Sequence, residues 1–350
     1  MLEALVFSPL RVTVHRTTIP QPRENEVLIQ VAVAGTNPKD WKVPFWRERD
    51  NGTNQGDDMA GVVAAVGAAV TQFKPGDRVA AFHQMMTPAG SYAEYALAAD
   101  HATFHLPPHV SFEAAATIPL AAMTAALGLF ASLGLPEPWV ARFHPDRLPR
   151  GGIVVYGAAS AVGAYAVQLA RWAGIHPIIA VAGNGIPFVQ GLLDPARGDV
   201  VVDYRQPNDH VVRDIRNAVP PGQRLEYAFD AVSEKAKSSY RNICQVFATQ
   251  GQGGDVLDDP DIPPTVHKSY TMVGSVHDKD KDFGYAWFRL FELGLKDGLL
   301  APHPHTVVPG GLGGVEEALR NLKEGKASAT KYVVRIADTK ELSGEGESKS

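Results

Sequence analysis

The sequence has a single cysteine, Cys244, among its 350 residues. One cysteine excludes an intrachain disulfide and any zinc site built from several cysteines. A basic excess is also lacking, since 33 Lys and Arg residues stand against 38 Asp and Glu residues and give a net charge of −5. This balance gives no reason to expect binding to nucleic acid or to an anionic membrane.

Long apolar runs are scarce as well. No continuous apolar run reaches the ~20 residues that a membrane-spanning helix needs. The N-terminus at Met1 shows neither the basic region nor the cleavage site of a secretory signal. Hydrophobic residues make up 45% of the chain and charged residues 20%, as in ordinary globular proteins. We therefore expect a soluble, cytoplasmic protein, and its length predicts two domains with separate cores.

A strand–turn–helix pattern around residue 157 is the most informative feature that is present. Residues 153–156 are apolar and largely β-branched, as in a strand buried on both faces. The small residues that follow would let the backbone approach a pyrophosphate, with the positive end of the next helix facing the anion. Of the three glycine positions in G-x-G-x-x-G, however, only Gly163 is glycine, because Ala158 and Ser160 occupy the other two. An ordinary βα unit with small residues for packing is the alternative.

The residues of this turn that we predict to bind a dinucleotide are Gly157, Ala158, Ala159, Ser160, Ala161, Val162 and Gly163.

The strand and helix patterns differ between the first part of the chain and the rest. Residues 1 to about 110 are rich in short strand patterns. Later strand patterns at 199–204, 225–230 and 271–275 alternate with helical segments. This alternation predicts an α/β fold with a doubly wound parallel sheet. The last residues are rich in Gly, Ser, Glu and Lys, which is typical of a disordered tail.

Several segments, in order, resemble the medium-chain dehydrogenase/reductase superfamily. They are GTNPKDWK at 35–42, GDDMAGVV at 56–63, FKPGDRV at 73–79, GSYAEY at 90–95 and YGAASAVG at 156–163. PHPH at 302–305, PGGL at 309–312 and EGKAS at 324–328 are similar to the fungal branch that includes trans-acting enoyl reductases of polyketide synthesis.

The resemblance implies a GroES-like catalytic domain, at 1–122 and 300–338, around a Rossmann domain at 123–299, with the tail at 339–350. It also implies hydride transfer from a nicotinamide, commonly NADPH, to an acyl substrate that a polyketide synthase carries. A stand-alone quinone or enone reductase and a catalytically silent NADP-binding protein of the same fold remain alternatives.

Zinc-dependent members of this superfamily would need a cysteine near position 37, a His-Glu pair near 57–58 and a four-cysteine lobe. This chain has Asn37, Asp57 and Asp58 at those positions and no cysteine lobe. Adjacent carboxylates rarely converge on one zinc ion. The sequence therefore favours metal-free reduction of an activated double bond or a quinone.

Reducing an activated double bond builds negative charge on a carbonyl oxygen and needs a proton source. Lys42 is the first catalytic candidate. The alternative is that Lys42 is an ordinary solvated lysine on the surface. Thr124 matches a family position beside the nicotinamide, although it could simply serve helix packing. Asn37 could orient ribose or substrate, or stabilise a turn. Tyr92 and His83 are weaker candidates for the substrate pocket.

The segment after the second Rossmann strand bears on the choice between NADPH and NADH. NAD-specific domains usually place an acidic residue there, but here Gly183 and Asn184 follow the strand. This absence favours NADPH. Tyr204 and Lys326 match family positions near the adenine ribose phosphate and Arg205 is adjacent, although each could be an ordinary exposed polar residue.

Histidine spacing offers one further candidate site. His101, His105 and His109 recur at a spacing that would align metal ligands on a helix. Pro107 and Pro108 interrupt any helix there, so we predict no metal site.

Overall fold

The computed structural model describes residues 1–233, 239–248 and 266–340. It divides the chain into two compact units, Met1–Leu120 with the described residues from Gly274 onward, and the described part of Ala121–Val273.

The strands, in chain order, are β1 (Leu2–Phe7), β2 (Arg11–Arg16), β3 (Glu26–Gly35), β4 (Asp58–Val66), β5 (Arg78–Phe82), β6 (Tyr95–Ala99), β7 (Thr103–His105), β8 (Ile153–Tyr156), β9 (Ile178–Ala182), β10 (Val200–Asp203), β11 (Tyr227–Asp230), β12 (His305–Val307) and β13 (Lys331–Arg335). The helices are α1 (Lys39–Trp46), α2 (Phe112–Ala115), α3 (Pro119–Ala126), α4 (Pro138–Phe143), α5 (Ala161–Trp172), α6 (Ile186–Gln190), α7 (Asn208–Ala218), α8 (Ser239–Ala248), α9 (Lys281–Lys296) and α10 (Val315–Lys323).

The first unit is built on a mostly antiparallel sheet in the order β12-β13-β3-β4-β5-β7, with β6 also pairing with β3. Its core combines apolar side chains from the central strands, such as Ile29, Met59 and Val334, with Leu319 of α10. Burying these side chains against one another supplies the main driving force for folding of this unit.

The ends of β3, β4 and β13 meet in this sheet. Gly35, the last residue of β3, pairs with Asp58 of β4 on one side and with Val333 of β13 on the other. A Cβ atom on Gly35 would lie 2.2 Å from the carbonyl oxygen of Ala116, so only glycine permits this close approach. The loop that follows Gly35 therefore starts beside the first residues of β4 and β13.

The second unit contains a four-stranded parallel sheet in the order β10-β9-β8-β11. All residues of β8 and β9 are buried, as expected for parallel strands covered on both faces. The expected α/β fold, a GroES-like unit with a Rossmann-type parallel sheet, is confirmed.

The strand predicted at 271–275 is wrong. Residues Val273–His277 form a short 3₁₀ turn, and Met272 is exposed. Val276 is buried against α9, where a Cβ on Gly284 would lie 2.8 Å from the Val276 Cβ. The buried residue that packs on the helix therefore lies just outside the predicted strand.

The predicted domain boundary at residue 299 differs from the boundary between the two compact units, which falls between Val273 and Gly274. The reason is that α9 packs on β7 within the first unit. The predicted tail begins too early as well. The Thr339 hydroxyl donates to the Ile336 carbonyl at 2.6 Å and accepts from the Leu312 N–H at 3.0 Å. The rest of the predicted tail, residues 341–350, lies outside the described residues.

One helical stretch, Phe112–Ser132, is long and apolar enough to cross a membrane by length and composition alone. Within its most apolar window, 83% of the residues are buried inside the protein. Such burial is typical of a core helix.

Candidate functional site

The glycine-containing turn leads from β8 into α5. Gly157 has φ +77°, and a Cβ there would lie 2.5 Å from Val232 Cγ1. A Cβ on Gly163 would lie 2.2 Å from the Gly157 carbonyl oxygen. Both glycines therefore allow the first turn of α5 to sit directly on the loop, while Ala158 is buried beneath it.

Ser160 caps α5. Its Oγ accepts a hydrogen bond from the Gly163 N–H at 3.0 Å, which explains why serine suits this position. Ala159, Ala161 and Val162 are half-buried, so the outer side of the turn reaches solvent. Backbone N–H groups in the first turn of a helix have no intrahelical acceptor, and this turn can therefore offer them to an anion.

Four predicted coenzyme-binding residues come together at the carboxyl ends of β9 and β10. Gly183 leaves room for Tyr204, whose Cζ would lie 2.6 Å from a Cβ at that position. Arg205 donates from one guanidinium nitrogen to the Asn184 side-chain oxygen at 2.9 Å. Its Nε and second terminal nitrogen donate to the Asp203 carboxylate at 2.8 and 2.6 Å.

Asp203 is a residue that the sequence analysis missed. The hydrogen bond from Arg205 lowers the pKa of its carboxyl, so this exposed group is ionised at neutral pH. It holds the guanidinium by a fork-like pair of hydrogen bonds. These bonds orient Arg205 and neutralise part of its charge.

Lys326 lies after α10 in the first unit. Its Nζ is 2.7 Å from Glu324 Oε2 and 3.4 Å from the Asn321 side-chain oxygen. Exposed pairs of this kind exchange easily with solvent, so the ammonium remains available to another anion.

Asn37 belongs to a buried polar cluster. The cluster forms because the end of β3 meets the first residues of β4 and β13. Its side-chain N–H donates to Asp58 at 2.8 Å, and its side-chain oxygen accepts from Lys331 Nζ at 3.1 Å. Lys331 also pairs closely with Asp58. The amide is thus fixed by protein groups.

A second lysine, which is half-buried, adjoins this cluster. Lys39 Nζ is 3.0 Å from Asp40, contacts Asp57 closely and donates to the Gln55 carbonyl at 2.6 Å. The Tyr92 hydroxyl donates to Asp40 at 2.6 Å. Asp57 and Asp58, at the positions where zinc-dependent relatives would carry ligands, are therefore paired with ammonium groups.

The sequence analysis missed Lys39, Asp40 and Lys331. For Lys39 and Asp40 a signal existed, because both lie in the GTNPKDWK segment between Asn37 and Lys42. Lys331 carried no local signal, because lysines are seldom buried and its partner Asn37 is 294 residues away in the chain.

Burial controls the protonation of this cluster. Burial raises the pKa of Asp40 from 3.8 to about 6, and it raises the pKa of Asp57 to the same value, although Lys39 opposes both shifts. Burial lowers the pKa of Lys39, but the Asp40 and Asp57 carboxylates outweigh it and the net shift is upward. Because both carboxyl pKa values are raised, their contribution to stability is complete below pH 3.8 and is lost as the pH rises through about 6.

We expect the carboxyl groups of Asp40 and Asp57 to titrate well above pH 3.8, with apparent midpoints near 6, because burial raises both pKa values. Both groups contact Lys39, so the observed midpoints belong to the coupled pair. Carbon-13 NMR of the side-chain carboxyls, assigned with Asp40→Asn and Asp57→Asn, measures this titration. Ordinary midpoints at both buried positions would contradict the expectation.

Lys42 lies on the other face of α1 from Asp40, since residues two apart on a helix point in opposite directions. Its Nζ lies 5.4 Å from the ring centroid of Trp41 and 5.8 Å from that of Trp46. Lys42 is half-buried, beside aromatic rings, and the Asn37 cluster lies behind the helix.

The remaining candidates differ in their surroundings. Thr124 is half-buried in α3. The His83 ring nitrogens lie 2.7 Å from the Leu97 carbonyl and 3.1 Å from the Thr87 carbonyl. Burial lowers the pKa of His83, so this ring is neutral and held by the backbone. Within the described residues, no group of three or more His, Cys, Asp or Glu side chains is arranged to hold a metal.

Comparison with known proteins identifies relatives along nearly the whole chain. Residues 23–108 match the alcohol dehydrogenase GroES-like domain. The chain is 45% identical to trans-enoyl reductase fsr4 of Gibberella fujikuroi, covering 89% of this chain and 91% of the relative. A quinone-oxidoreductase homolog from spinach chloroplasts is 34% identical over 61% of this chain and 62% of its own length.

Solved structures show the same fold at lower identity. The structure of CurK enoyl reductase covers 95% of this chain and 98% of its own, with a TM-score of 0.72 and 21% identity. The structure of a putative zinc-dependent alcohol dehydrogenase from Rhizobium etli covers 96% of this chain and 98% of its own, with a TM-score of 0.77 and 21% identity.

Proposed function

The chain belongs to the trans-enoyl reductase branch of the medium-chain dehydrogenase/reductase superfamily, and from this premise we propose that it reduces an activated carbon–carbon double bond with NADPH. The proposed substrate is an acyl thioester carried by a polyketide synthase, and the proposed location is the cytoplasm. The observation that carries the choice of reaction is the pairing of Asp57 and Asp58 with Lys39 and Lys331. Carboxylates satisfied by ammonium groups are poor ligands for the zinc that alcohol oxidation would use.

The turn from Gly157 to Gly163 fits the pyrophosphate of a dinucleotide. Two Cβ atoms are missing where the backbone must fold tightly, and the outer residues of the turn reach solvent. When bound, the nicotinamide supplies the hydride. The chain contributes the N–H groups at the start of α5 and the Ser160 cap that holds them in place.

In this proposal Lys42 acts on the other reactant. Its ammonium group stabilises the negative charge that develops on the thioester oxygen, or donates the proton that the α-carbon takes up. The Lys39–Asp57 and Asn37–Lys331 contacts anchor the loop before α1 and so set the position of the helix that carries Lys42. Thr124 is the proposed partner of the nicotinamide carboxamide.

Replacing Lys42 by alanine is expected to lower turnover by about tenfold or more, the scale of a lost acid or electrostatic catalyst. The dissociation constant for NADPH should not change. Steady-state kinetics and coenzyme fluorescence titration measure the two effects separately. Near-normal turnover would remove Lys42 from the mechanism.

The proposed preference for NADPH depends on Arg205 and the residues around it. Gly183 and Asn184, not a carboxylate, directly follow β9, and Tyr204 and Arg205 lie beside them. A ribose 2′-phosphate could take the Arg205 hydrogen bonds in exchange with Asp203. Lys326 is proposed as a further phosphate contact.

We expect Arg205→Ala to weaken NADPH binding by about tenfold, since a charge-assisted hydrogen bond contributes on the order of 1.5 kcal/mol. NADH has no 2′-phosphate, and its dissociation constant should stay the same. Calorimetric titration with both coenzymes makes the comparison, and Arg213→Ala, an exposed arginine on α7, is the matched control. Equal weakening of both coenzymes would contradict the assignment.

The reaction itself is tested by following NADPH oxidation with a crotonyl thioester and with a panel of quinones. Reduction of the thioester and not of the quinones is the expected result. The reverse would support the quinone reductase alternative, which the similarity to the spinach protein favours. Coenzyme binding without oxidation of either substrate would identify a silent binding protein.

A further inference from the structure

Helix α1 presents large aromatic side chains to solvent. Phe45 is 73% exposed and Trp46 is 63% exposed. The other side of the helix is buried through Asp40, Val43 and Pro44. Adjacent exposed aromatic residues on a folded surface typically mark an interaction site.

Cations surround these rings. Lys42 Nζ lies 5.8 Å from the Trp46 centroid, and Lys323 Nζ lies 5.6 Å from the centroid of the neighbouring Trp41. The Arg49 side chain is 78% exposed and lies 3.9 Å from the Asp50 carboxylate. We call Lys42, Phe45, Trp46, Arg49 and Lys323 the α1 surface. Glu48 is exposed beside it, and Asp50 pairs with Arg47 and Arg49. With Arg47 added, four basic residues stand against these two carboxylates, so the region is net positive although the whole chain carries −5.

We propose that the α1 surface docks the acidic carrier domain that presents the acyl thioester, which rests on the proposed function. A carrier domain bears its acyl group on a phosphopantetheine arm, whose phosphodiester is anionic and whose remaining length is uncharged. Cations can pair with the phosphodiester and with carboxylates of the domain, while aromatic rings pack against the arm. Because Lys42 belongs to the α1 surface, a carrier docked there brings its thioester towards the proposed catalytic residue.

Two other occupants fit the surface less well. A second copy bound around a two-fold axis would bring the same patch of each copy together, and so would oppose the cations of one to those of the other. An anionic membrane is usually held by a cluster of about four to eight basic residues. Here Arg47 and Arg49 pair with Asp50 and Glu48 is exposed beside them, so the net positive charge is smaller than such a cluster provides.

The test compares one acyl group on two supports: crotonyl-N-acetylcysteamine, and a crotonyl group on a recombinant carrier domain of a fungal polyketide synthase. The single variants Phe45→Ser and Arg49→Glu are measured, leaving Lys42 and the Trp46 ring beside it intact. We expect kcat/KM for the carrier-bound substrate to fall by about tenfold or more, and that for the small thioester to stay within about twofold. Phe143→Ser is the matched control, because Phe143 is 75% exposed on α4, and it should change neither value.

Equal losses on both thioesters, or no loss on either, would overturn the docking proposal. Sedimentation of wild-type protein and variants adds a further check, since a dimer that the substitutions dissociate would assign the α1 surface to a second copy. Binding of the wild type to phosphatidylserine vesicles that the substitutions abolish would assign it to a membrane. A wild-type chain that reduces neither thioester would refute the proposed function, and this inference with it.

Discussion

Replacing Lys331 by methionine is expected to lower the free energy of unfolding by about 3–5 kcal/mol, because removal of one partner leaves a buried charge uncompensated. The side chains of Lys331 and Asp58 are 3% and 0% exposed. Methionine keeps most of the side-chain volume, so the change removes mainly the ammonium group. Urea denaturation followed by circular dichroism measures the loss.

Two further variants separate the buried charge from general effects of substitution. Lys326→Met removes a lysine from the exposed pair with Glu324, and it should change stability by less than about 1 kcal/mol. The double variant Lys331→Met with Asp58→Asn removes both charges and should recover part of the loss. If Lys331→Met were as stable as Lys326→Met, the ion pair would not be buried as described.

Replacing Gly163 by valine is expected to weaken NADPH binding by about a hundredfold, equivalent to about 2.7 kcal/mol. The new Cβ would meet the Gly157 carbonyl oxygen at 2.2 Å, which pushes α5 off the turn and misdirects its N–H groups. Fluorescence titration gives the dissociation constant, and near-ultraviolet circular dichroism checks that the variant is folded.

Gly313→Val is the matched control, because a Cβ on Gly313 meets nothing within 4 Å. A milder variant, Ser160→Ala, removes only the helix cap and should lower stability by about 1 kcal/mol. A folded Gly163→Val protein with an unchanged dissociation constant would show that this turn does not hold the coenzyme.

Local chemistry made several features predictable. Residues 153–163 carry a complete strand–turn–helix signal, and the structure has β8 and α5 there. Glycine at 163 is required by a local contact with the Gly157 carbonyl oxygen, whereas glycine at 157 is required by Val232, which is distant in the chain. The order of the motifs likewise led to the confirmed family and fold.

The strand predicted at 271–275 shows where a local pattern is insufficient. Met272, inside the predicted strand, is exposed, and Val276, just beyond it, is buried. The position of α9 decided this, because Gly284 leaves space for the Val276 side chain. For the same reason the contacts of α9 assign residues 274–299 to the first unit.

The sequence by itself determined the fold class, the family and the glycine turn, since each follows from residue types at short, regular spacings. Only the tertiary structure decided that Asn37, Asp58 and Lys331 form one buried cluster. Strand pairing brings together residues that are hundreds of positions apart, and no local pattern encodes that proximity. The same pairing removes water from Lys331, and this dehydration makes an ordinary lysine a fixed structural charge.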